Sequence, residues 1–314
     1  MRICIPLLTL VFLCAFGSSR AIAALSMEQG AEQDFTMSAG QSVIFGVVEG
    51  LTEFLPVSST GHLLLVERAL GISGDEASEQ AIDTYMIVIQ LGAILAVAWV
   101  YHEHLKRILL GLIGKDAGGR LLLRNLLIAF IPAALVGILF VDMIKELLFG
   151  LWAVSFAWMV GGLALVRWGK KQENGGPPTS FTLESLSAGR ALLIGCVQVI
   201  AMWPGTSRSL VTILGGKWAG LSLHDSVVFS FLLGLVTLSA STGYDMLRNG
   251  QHMINFLGLQ SLIIGLLTAY ISAWIAVRGM VHYLKNHGMA LFGVYRIAIA
   301  CVTAGLILTN VLRP

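Results

Sequence analysis

Long apolar runs dominate the chain, and six of them are long enough to cross a lipid bilayer as helices. A transmembrane helix needs about 20 predominantly apolar residues to span a hydrocarbon core roughly 30 Å thick. Because the backbone must satisfy its own hydrogen bonds inside lipid, runs of this length favour helices. We therefore predict an all-α polytopic membrane protein. Its transmembrane helices are expected at 84–101, 125–142, 150–168, 226–245, 257–280 and 291–311.

Two further apolar regions, 41–72 and 190–221, are interrupted near their centres by turn-forming residues. The first interruption reads Leu-Pro-Val-Ser-Ser-Thr-Gly at 55–61, and the second reads Trp-Pro-Gly-Thr-Ser-Arg-Ser at 203–209. Proline and glycine end a helix, and each remaining half, at about 14 residues, is too short to span. Non-helical backbone at membrane depth persists only where protein or a water-filled cavity surrounds it. Both regions therefore predict re-entrant helical hairpins.

The two interruptions resemble each other, which indicates an internal repeat. Pro56-Val-Ser-Ser and Pro204-Gly-Thr-Ser lie 148 residues apart. We assign a first repeat to 40–170 and a second to 188–312, each consisting of one hairpin followed by three helices. An odd number of spans inverts the second repeat in the membrane, and paired broken segments in inverted repeats mark a site near the midplane.

Composition and loop charge agree with a membrane location. Hydrophobic residues make up 56% of the 314 positions and charged residues 12%, about half the charged share of a soluble domain. The net charge of +2 gives no reason to expect a nucleic acid partner, and the four cysteines lack zinc-type spacing. Segments 102–124, 167–190 and 278–290 are basic and are therefore expected to be cytoplasmic, whereas 73–83 is acidic. Both mature termini and the mouth of the first hairpin then lie outside.

The first 24 residues have the pattern of a secretory signal peptide. A basic start at Met1-Arg2 precedes an apolar run at 3–17 and a small-x-small site at Ala21-Ile-Ala23. We predict a signal peptide at 1–24, with an uncleaved additional helix as the alternative.

Glu49 and Glu53 lie four residues apart in the first hairpin, and hence on one face of a helix. An ionisable residue within a membrane segment is costly and marks a functional site by default. Two neighbouring carboxylates repel each other, and a divalent cation would relieve that repulsion by taking both as ligands. The alternative is a shallow helix end at which both carboxylates are hydrated.

Hydroxyl and cationic side chains follow in both interruptions. Hydroxyls in a tight turn could bind phosphate or act as a nucleophile, although a Ser-Ser-Thr turn is also an ordinary helix N-cap. A histidine exchanges protons near neutral pH, and the guanidinium of an arginine matches phosphate. The alternative to phosphate binding by Arg208 is a purely structural ion pair with Glu53. The residues concerned are Ser58, Ser59, Thr60, His62, Gly205, Ser207, Arg208, Ser209 and Thr212. If the hairpins meet, this set suits metal-assisted phosphoryl transfer.

The stretches 49–62 and 204–212 resemble the two signatures of the undecaprenyl-diphosphate phosphatase family of the bacitracin-resistance (BacA) type, and the similarity extends from about residue 40 to the C-terminus. The resemblance implies hydrolysis of undecaprenyl diphosphate to undecaprenyl phosphate and inorganic phosphate in the bacterial plasma membrane. This reaction recycles the carrier lipid for peptidoglycan and confers bacitracin resistance. From the loop charges and the predicted signal peptide, we expect the site to open to the external, periplasmic side.

The resemblance also implies roles for individual residues. Glu49 and Glu53 would act through Mg²⁺ or Ca²⁺, and Ser59 or a water would be the nucleophile. His62 would be the acid/base, and Arg208 would bind the diphosphate. Substrate contacts are expected from Ser58, Thr60, Gly205, Ser207, Ser209 and Thr212. The expected partners are the polyprenyl diphosphate and membrane lipids, with a homodimer left open.

Two other functions are weighed against this one. A transporter or lipid flippase could use the same inverted-repeat site without cutting its ligand. A lipid phosphatase of the phosphatidic-acid type is disfavoured because the His and Asp of its second motif are missing after Ser207-Arg208.

Overall fold

The computed structural model describes residues 37–72, 76–173 and 181–313. Within these ranges the regular elements are helices, apart from one isolated bridge between Phe181 and Leu221. The all-α class is thus confirmed for this part of the chain. The signal peptide predicted at 1–24 lies outside the described residues.

The helices of the described ranges follow one another with short connections, and a 3₁₀ turn at Val199–Met202 separates α8 from α9. In chain order they are α1 (Ala39–Thr52), α2 (Ser59–Leu70), α3 (Glu76–Val88), α4 (Gln90–Val100), α5 (His102–Leu112), α6 (Ala117–Leu148), α7 (Leu151–Glu173), α8 (Ala188–Gln198), α9 (Arg208–Trp218), α10 (Leu223–Leu257), α11 (Leu259–Leu284) and α12 (Ala290–Leu308).

Six stretches of the described residues are long and apolar enough to cross a membrane, as the sequence predicts. They are Ala77–Val100, Ala117–Phe140, Leu151–Gly169, Leu223–Leu257, Leu259–Leu284 and Ala290–Leu308.

The largest departures from the predicted boundaries occur where a helix continues through polar sequence. The basic segment 102–124, treated as a loop, contains α5 and the start of α6, and α10 runs to Leu257 rather than ending near residue 245. An apolar window marks the part of a helix that lies in lipid, and it does not mark the end of the helix. In α5 the charged residues Glu103, Lys106 and Arg107 come first, and the exposed Leu109 and Leu112 follow in the last turns. Exposed apolar and charged residues on one short helix are typical of a helix at the membrane surface.

Both interrupted regions form two short helices joined by a non-helical turn, α1–α2 and α8–α9. In each, the residue before the second helix is a serine with positive φ: Ser58 has φ 73° and ψ 103°, and Ser207 has φ 75° and ψ 113°. Non-glycine residues seldom adopt such a backbone. The shared conformation is what an internal repeat would produce, at a spacing of 149 residues (207 − 58) and not the 148 that separates the two prolines. Re-entry of both pairs into the membrane stays a prediction.

The first short helix of each pair packs mainly against the opposite half of the chain. Helix α1 lies along α11, α8 lies along α6, and α7 packs against α12. Gly50 of α1 meets the backbone of Ala269 so closely that a Cβ would overlap it. The reciprocal packing of α1 on α11 and of α8 on α6 is consistent with two repeats related by a two-fold axis. It also brings the two interruptions together between α7 and α12. The repeat boundaries 40–170 and 188–312 stay a prediction.

Candidate active site

Glu53, Ser59 and Arg208 form a continuous polar contact between the two interruptions. Glu53 follows the last residue of α1, and its Oε1 accepts a hydrogen bond from Arg208 Nη2 at 3.1 Å. Its other oxygen, Oε2, accepts a hydrogen bond from the hydroxyl of Ser59. The ion pair between Arg208 and Glu53 that the sequence suggested is therefore present, and it joins the first hairpin to the second.

Arg208 opens α9, and its guanidinium is enclosed by helix α10 and an aromatic ring. Nη1 donates to the carbonyl of Ser230 at 2.8 Å, and the guanidinium carbon lies 5.0 Å from the centre of the Phe54 ring. Gly234 faces the guanidinium with no room for a Cβ. Nε is buried without a hydrogen-bond partner, so its N–H is a donor that the described residues leave unused. Sequence reasoning missed Ser230 and Gly234. The feature that could have indicated them is a pair of small residues four apart on one face of α10.

Glu49 lies one turn before Glu53 and is fully buried. Neither of its carboxylate oxygens has a hydrogen-bond partner among the described residues. Burial removes the alternative of a hydrated carboxylate. A buried carboxylate without a partner is costly unless it is protonated or binds a cation, so the residue fits a metal ligand.

The donor set at this point is small. The described residues contain no group of three or more His, Cys, Asp or Glu side chains that could hold a metal ion. Mg²⁺ typically takes one or two carboxylates and completes its shell with water and phosphate oxygens. Glu49 and Glu53 therefore fit a cation that is shared with a diphosphate.

Hydroxyls of the second interruption hold the first one in place. Ser209 Oγ donates to the carbonyl of Leu55 at 2.8 Å, and the Ser207 and Ser209 hydroxyls are 2.9 Å apart. Ser207 Oγ also accepts from Leu210 N at 3.3 Å and caps α9. The predicted substrate contacts Ser207 and Ser209 thus lie at the junction of the two hairpins, where they bind one hairpin to the other.

The remaining predicted contacts are distributed around this junction. Thr212 Oγ1 donates to the Arg208 carbonyl at 2.8 Å and lies 2.6 Å from Ser230 Oγ, one turn behind the guanidinium. Gly205 has φ 89°, a conformation that glycine adopts without strain. Ser58 is buried and makes no capping bond, and Thr60 is half-buried in the first turn of α2.

His62 is fully buried, and both ring nitrogens face protein atoms. Nδ1 lies 2.6 Å from the carbonyl of Ser58, so it carries the proton, and Nε2 accepts from the Tyr295 hydroxyl at 2.7 Å. The ring stacks on Tyr295 and meets Trp158 edge-on. The predicted acid/base role would require one of these hydrogen bonds to open.

Tyr295, Arg296 and Trp158 support the interruptions from α12 and α7, and sequence reasoning missed all three. Trp158 Nε1 donates to the carbonyl of Val57 at 2.8 Å, and Arg296 donates to carbonyls on both interruptions. The signal for Arg296 was a lone charge in an otherwise apolar helix, which marks a functional position by default.

Comparison with known proteins adds the family context. A family profile described as bacitracin resistance protein BacA matches residues 42–302. The chain is 40% identical over 269 residues to the undecaprenyl-diphosphatase of Sorangium cellulosum, covering 84% of this chain and 85% of that protein. It is 41% identical over 263 residues to the undecaprenyl-diphosphatase of Nitrosomonas europaea, covering 83% and 92%. A third relative, the undecaprenyl-diphosphatase of Methylococcus capsulatus, is 41% identical over 261 residues, covering 83% and 92%.

Proposed function

Since the chain belongs to the bacitracin resistance protein BacA family, we propose that the junction of its two interruptions is the site at which a lipid diphosphate is cut. The chain hydrolyses undecaprenyl diphosphate to undecaprenyl phosphate and inorganic phosphate, which recycles the carrier lipid for cell-wall synthesis and underlies bacitracin resistance. The relatives' names give no support to the transporter alternative. The hydrogen-bonded series Ser59–Glu53–Arg208 is the observation on which the site assignment rests.

Ser59 is the nucleophile that the geometry supports best. Its hydroxyl already donates to Glu53, so Glu53 is placed to take the proton as the Ser59 oxygen attacks the outer phosphorus. A Ser59 O–P bond forms while the bond from that phosphorus to the bridging oxygen breaks, and undecaprenyl phosphate leaves. Water then attacks the phosphoserine, inorganic phosphate is released, and the hydroxyl of Ser59 is restored.

Arg208 would stabilise the charge that develops on the transferring phosphoryl group. Its planar guanidinium suits phosphate oxygens, and the Nε–H is free of protein partners. The side chain is 11% exposed, so its charge acts in a site that largely excludes water. Because α9 begins at Arg208, the backbone N–H groups of its first turn also favour an anion there.

Glu49 and Glu53 would hold the divalent cation, Mg²⁺ or Ca²⁺. When bound, such an ion neutralises diphosphate charge and polarises the oxygens of the scissile bond. Glu49 makes no hydrogen bond to the described residues, although Ser59 and the charge of Arg208 lie near it, whereas Glu53 is hydrogen-bonded to both Ser59 and Arg208. This difference supports Glu49 as the residue given over to the cation and Glu53 as the residue that also handles the proton.

The proposed location is the bacterial plasma membrane, with the site open to the external side. The chain is a multi-pass membrane protein, and the basic segments 102–124, 167–190 and 278–290 support a cytoplasmic position for the loops on one side. The first hairpin would then open to the external side.

A quench experiment tests the nucleophile. Purified protein is mixed with undecaprenyl diphosphate, stopped in acid during turnover and analysed by peptide mass spectrometry. We expect phosphoserine at Ser59, and we expect Ser59→Ala to lose phosphate release while Ser42→Ala, which alters another buried serine of the first hairpin, keeps it. Phosphate release by Ser59→Ala at a near wild-type rate would assign the attack to water.

A further inference from the structure

Arg296 of α12 contacts both interruptions although it belongs to neither. The side chain is fully buried. Nη1 donates to the carbonyl of Pro56 at 3.2 Å, and Nη2 donates to the carbonyl of Gly205 at 2.8 Å. One rigid guanidinium thus bridges the two turns.

The two carbonyls occupy equivalent places in the turns. Pro56 lies two residues before Ser58, and Gly205 lies two residues before Ser207, the two serines that share positive φ. Each of these serines directly precedes a proposed reacting or binding residue. The distance between the two carbonyls therefore determines the distance between the starts of α2 and α9, which follow them by three residues.

Helix α7 supplies the remaining contact and the space for the guanidinium. Nη2 also donates to the carbonyl of Ala157 at 2.9 Å, and a Cβ on Gly161 would overlap the guanidinium of Arg296. The absence of a side chain at Gly161 lets the planar group lie between α7 and the turns. A third element thereby fixes the position of the bridge.

Arg296 has an unusual electrostatic environment for a buried cation. Its hydrogen bonds within the described chain go to carbonyl oxygens, and none of the described carboxylates lies within ion-pair distance. Nε is buried without a partner. A buried charge without a counter-ion is costly. The cost would be reduced by an anion bound nearby, such as the lipid diphosphate that we propose for the junction of the turns.

We propose that Arg296 is a positioning residue that sets the distance between Ser59 and Arg208, so that one diphosphate can reach both. This inference rests on the proposed function of the junction. A misplacement of about 1 Å at a reacting centre can cost on the order of 100-fold in rate. Substrate binding through Arg208 and the cation persists when the turns shift, so loss of the bridge lowers kcat far more than it raises KM.

Substitutions at Arg296 and at Gly161 disturb the bridge from opposite sides. Arg296→Met removes it, and Arg296→Lys keeps the charge but lacks the fork that reaches several carbonyls. Gly161→Ala leaves the arginine in place and displaces its guanidinium. Gly305→Ala on α12 is the matched control, because a Cβ there meets open space.

The decisive measurement is a double-mutant cycle in kcat for phosphate release, with melting in detergent to confirm that each variant is folded. We expect about 100-fold loss for Arg296→Met and about 10-fold for Gly161→Ala, with KM changed by less than about 3-fold. In an Arg296→Lys background, Gly161→Ala should lower kcat by less than about 2-fold, because the lysine ammonium is smaller than the guanidinium and no longer contacts the new methyl group.

The outcomes separate the possible failures. Additive losses in the cycle, or folded Arg296→Met at wild-type kcat, would overturn the positioning role while leaving the proposed function intact. A rise in KM with unchanged kcat would also overturn it. Failure of the wild-type protein to release phosphate would instead remove the proposed function.

Discussion

At the residue scale, the proposed chemistry depends on one carboxylate with two different partners. Glu53 accepts from the Ser59 hydroxyl with one oxygen and from Arg208 with the other. Glu49, one turn away, makes neither of these hydrogen bonds. Two glutamates on one helical face thus have different environments, which is how a pair of carboxylates acquires different roles.

Replacing Glu53 by glutamine tests its role as the base for Ser59. The amide keeps the size of the side chain but cannot take a proton or pair with the charge of Arg208, so we expect turnover to fall by about 100-fold or more. Phosphate release by the purified variant measures this. Glu67→Gln is the control, since Glu67 is another buried glutamate of the first hairpin region. Turnover within a few fold of wild type in Glu53→Gln would rule out the assignment.

At the element scale, each interruption places an unusual serine backbone directly before a helix. The positive φ of Ser58 and Ser207 turns the chain so that Ser59 and Arg208 begin α2 and α9 at the junction. Strain of this kind is tolerated where surrounding contacts fix the chain. Here the carbonyl of Ser58 is held by His62, and the Ser207 hydroxyl caps α9.

Substitutions at Ser58 measure that strain. Glycine adopts positive φ without steric cost, so Ser58→Gly should be at least as stable as the wild type. Valine should destabilise the protein by about 1–3 kcal/mol, because a β-branched residue is an outlier there. Thermal unfolding in detergent compares the two, with Thr60→Val, inside α2, as a control for the valine side chain. A glycine variant that is less stable than the valine variant would contradict the assignment.

The packing of α1 against α11 depends on a close approach of the two helix backbones. A Cβ at Gly50 would overlap the carbonyl of Ala269, whereas a Cβ at Gly40 would approach Ser38 Oγ only to 4.0 Å. Gly50→Ala should therefore separate the helices, lower the melting temperature and reduce turnover, because Glu49 and Glu53 lie on the same helix. Gly40→Ala should melt as the wild type does. Equal melting temperatures for both variants would show that the contact is not tight.

At the scale of the whole molecule, the sequence predicted the architecture better than it predicted the support of the site. Apolar length was sufficient for six spans, and proline with glycine was sufficient to locate both interruptions. Arg296 stands out as a lone charge in an apolar helix, but its role could not be predicted because its partners are backbone carbonyls of distant turns. Helix α5 escaped because its charge suggested a loop, although its apolar residues are spaced for a membrane surface.

Helix α1 of the first half packs on α11 of the second half, and α8 of the second half packs on α6 of the first. Because of these contacts, neither half is expected to work alone. The carboxylates lie in the first half, Arg208 lies in the second, and Arg296 reaches both from the last helix. On the side predicted to be cytoplasmic, Arg107 joins Asp116 and Glu184, tying the start of α6 to the segment before α8. The proposed site therefore requires both halves.

The most direct test of this account is phosphate release from undecaprenyl diphosphate by the purified protein, with and without EDTA, alongside Arg208→Ala. The account predicts release that chelation abolishes, that added Mg²⁺ or Ca²⁺ restores, and that Arg208→Ala lowers by about 100-fold or more. Full release in EDTA, or near-normal turnover by Arg208→Ala, would contradict it.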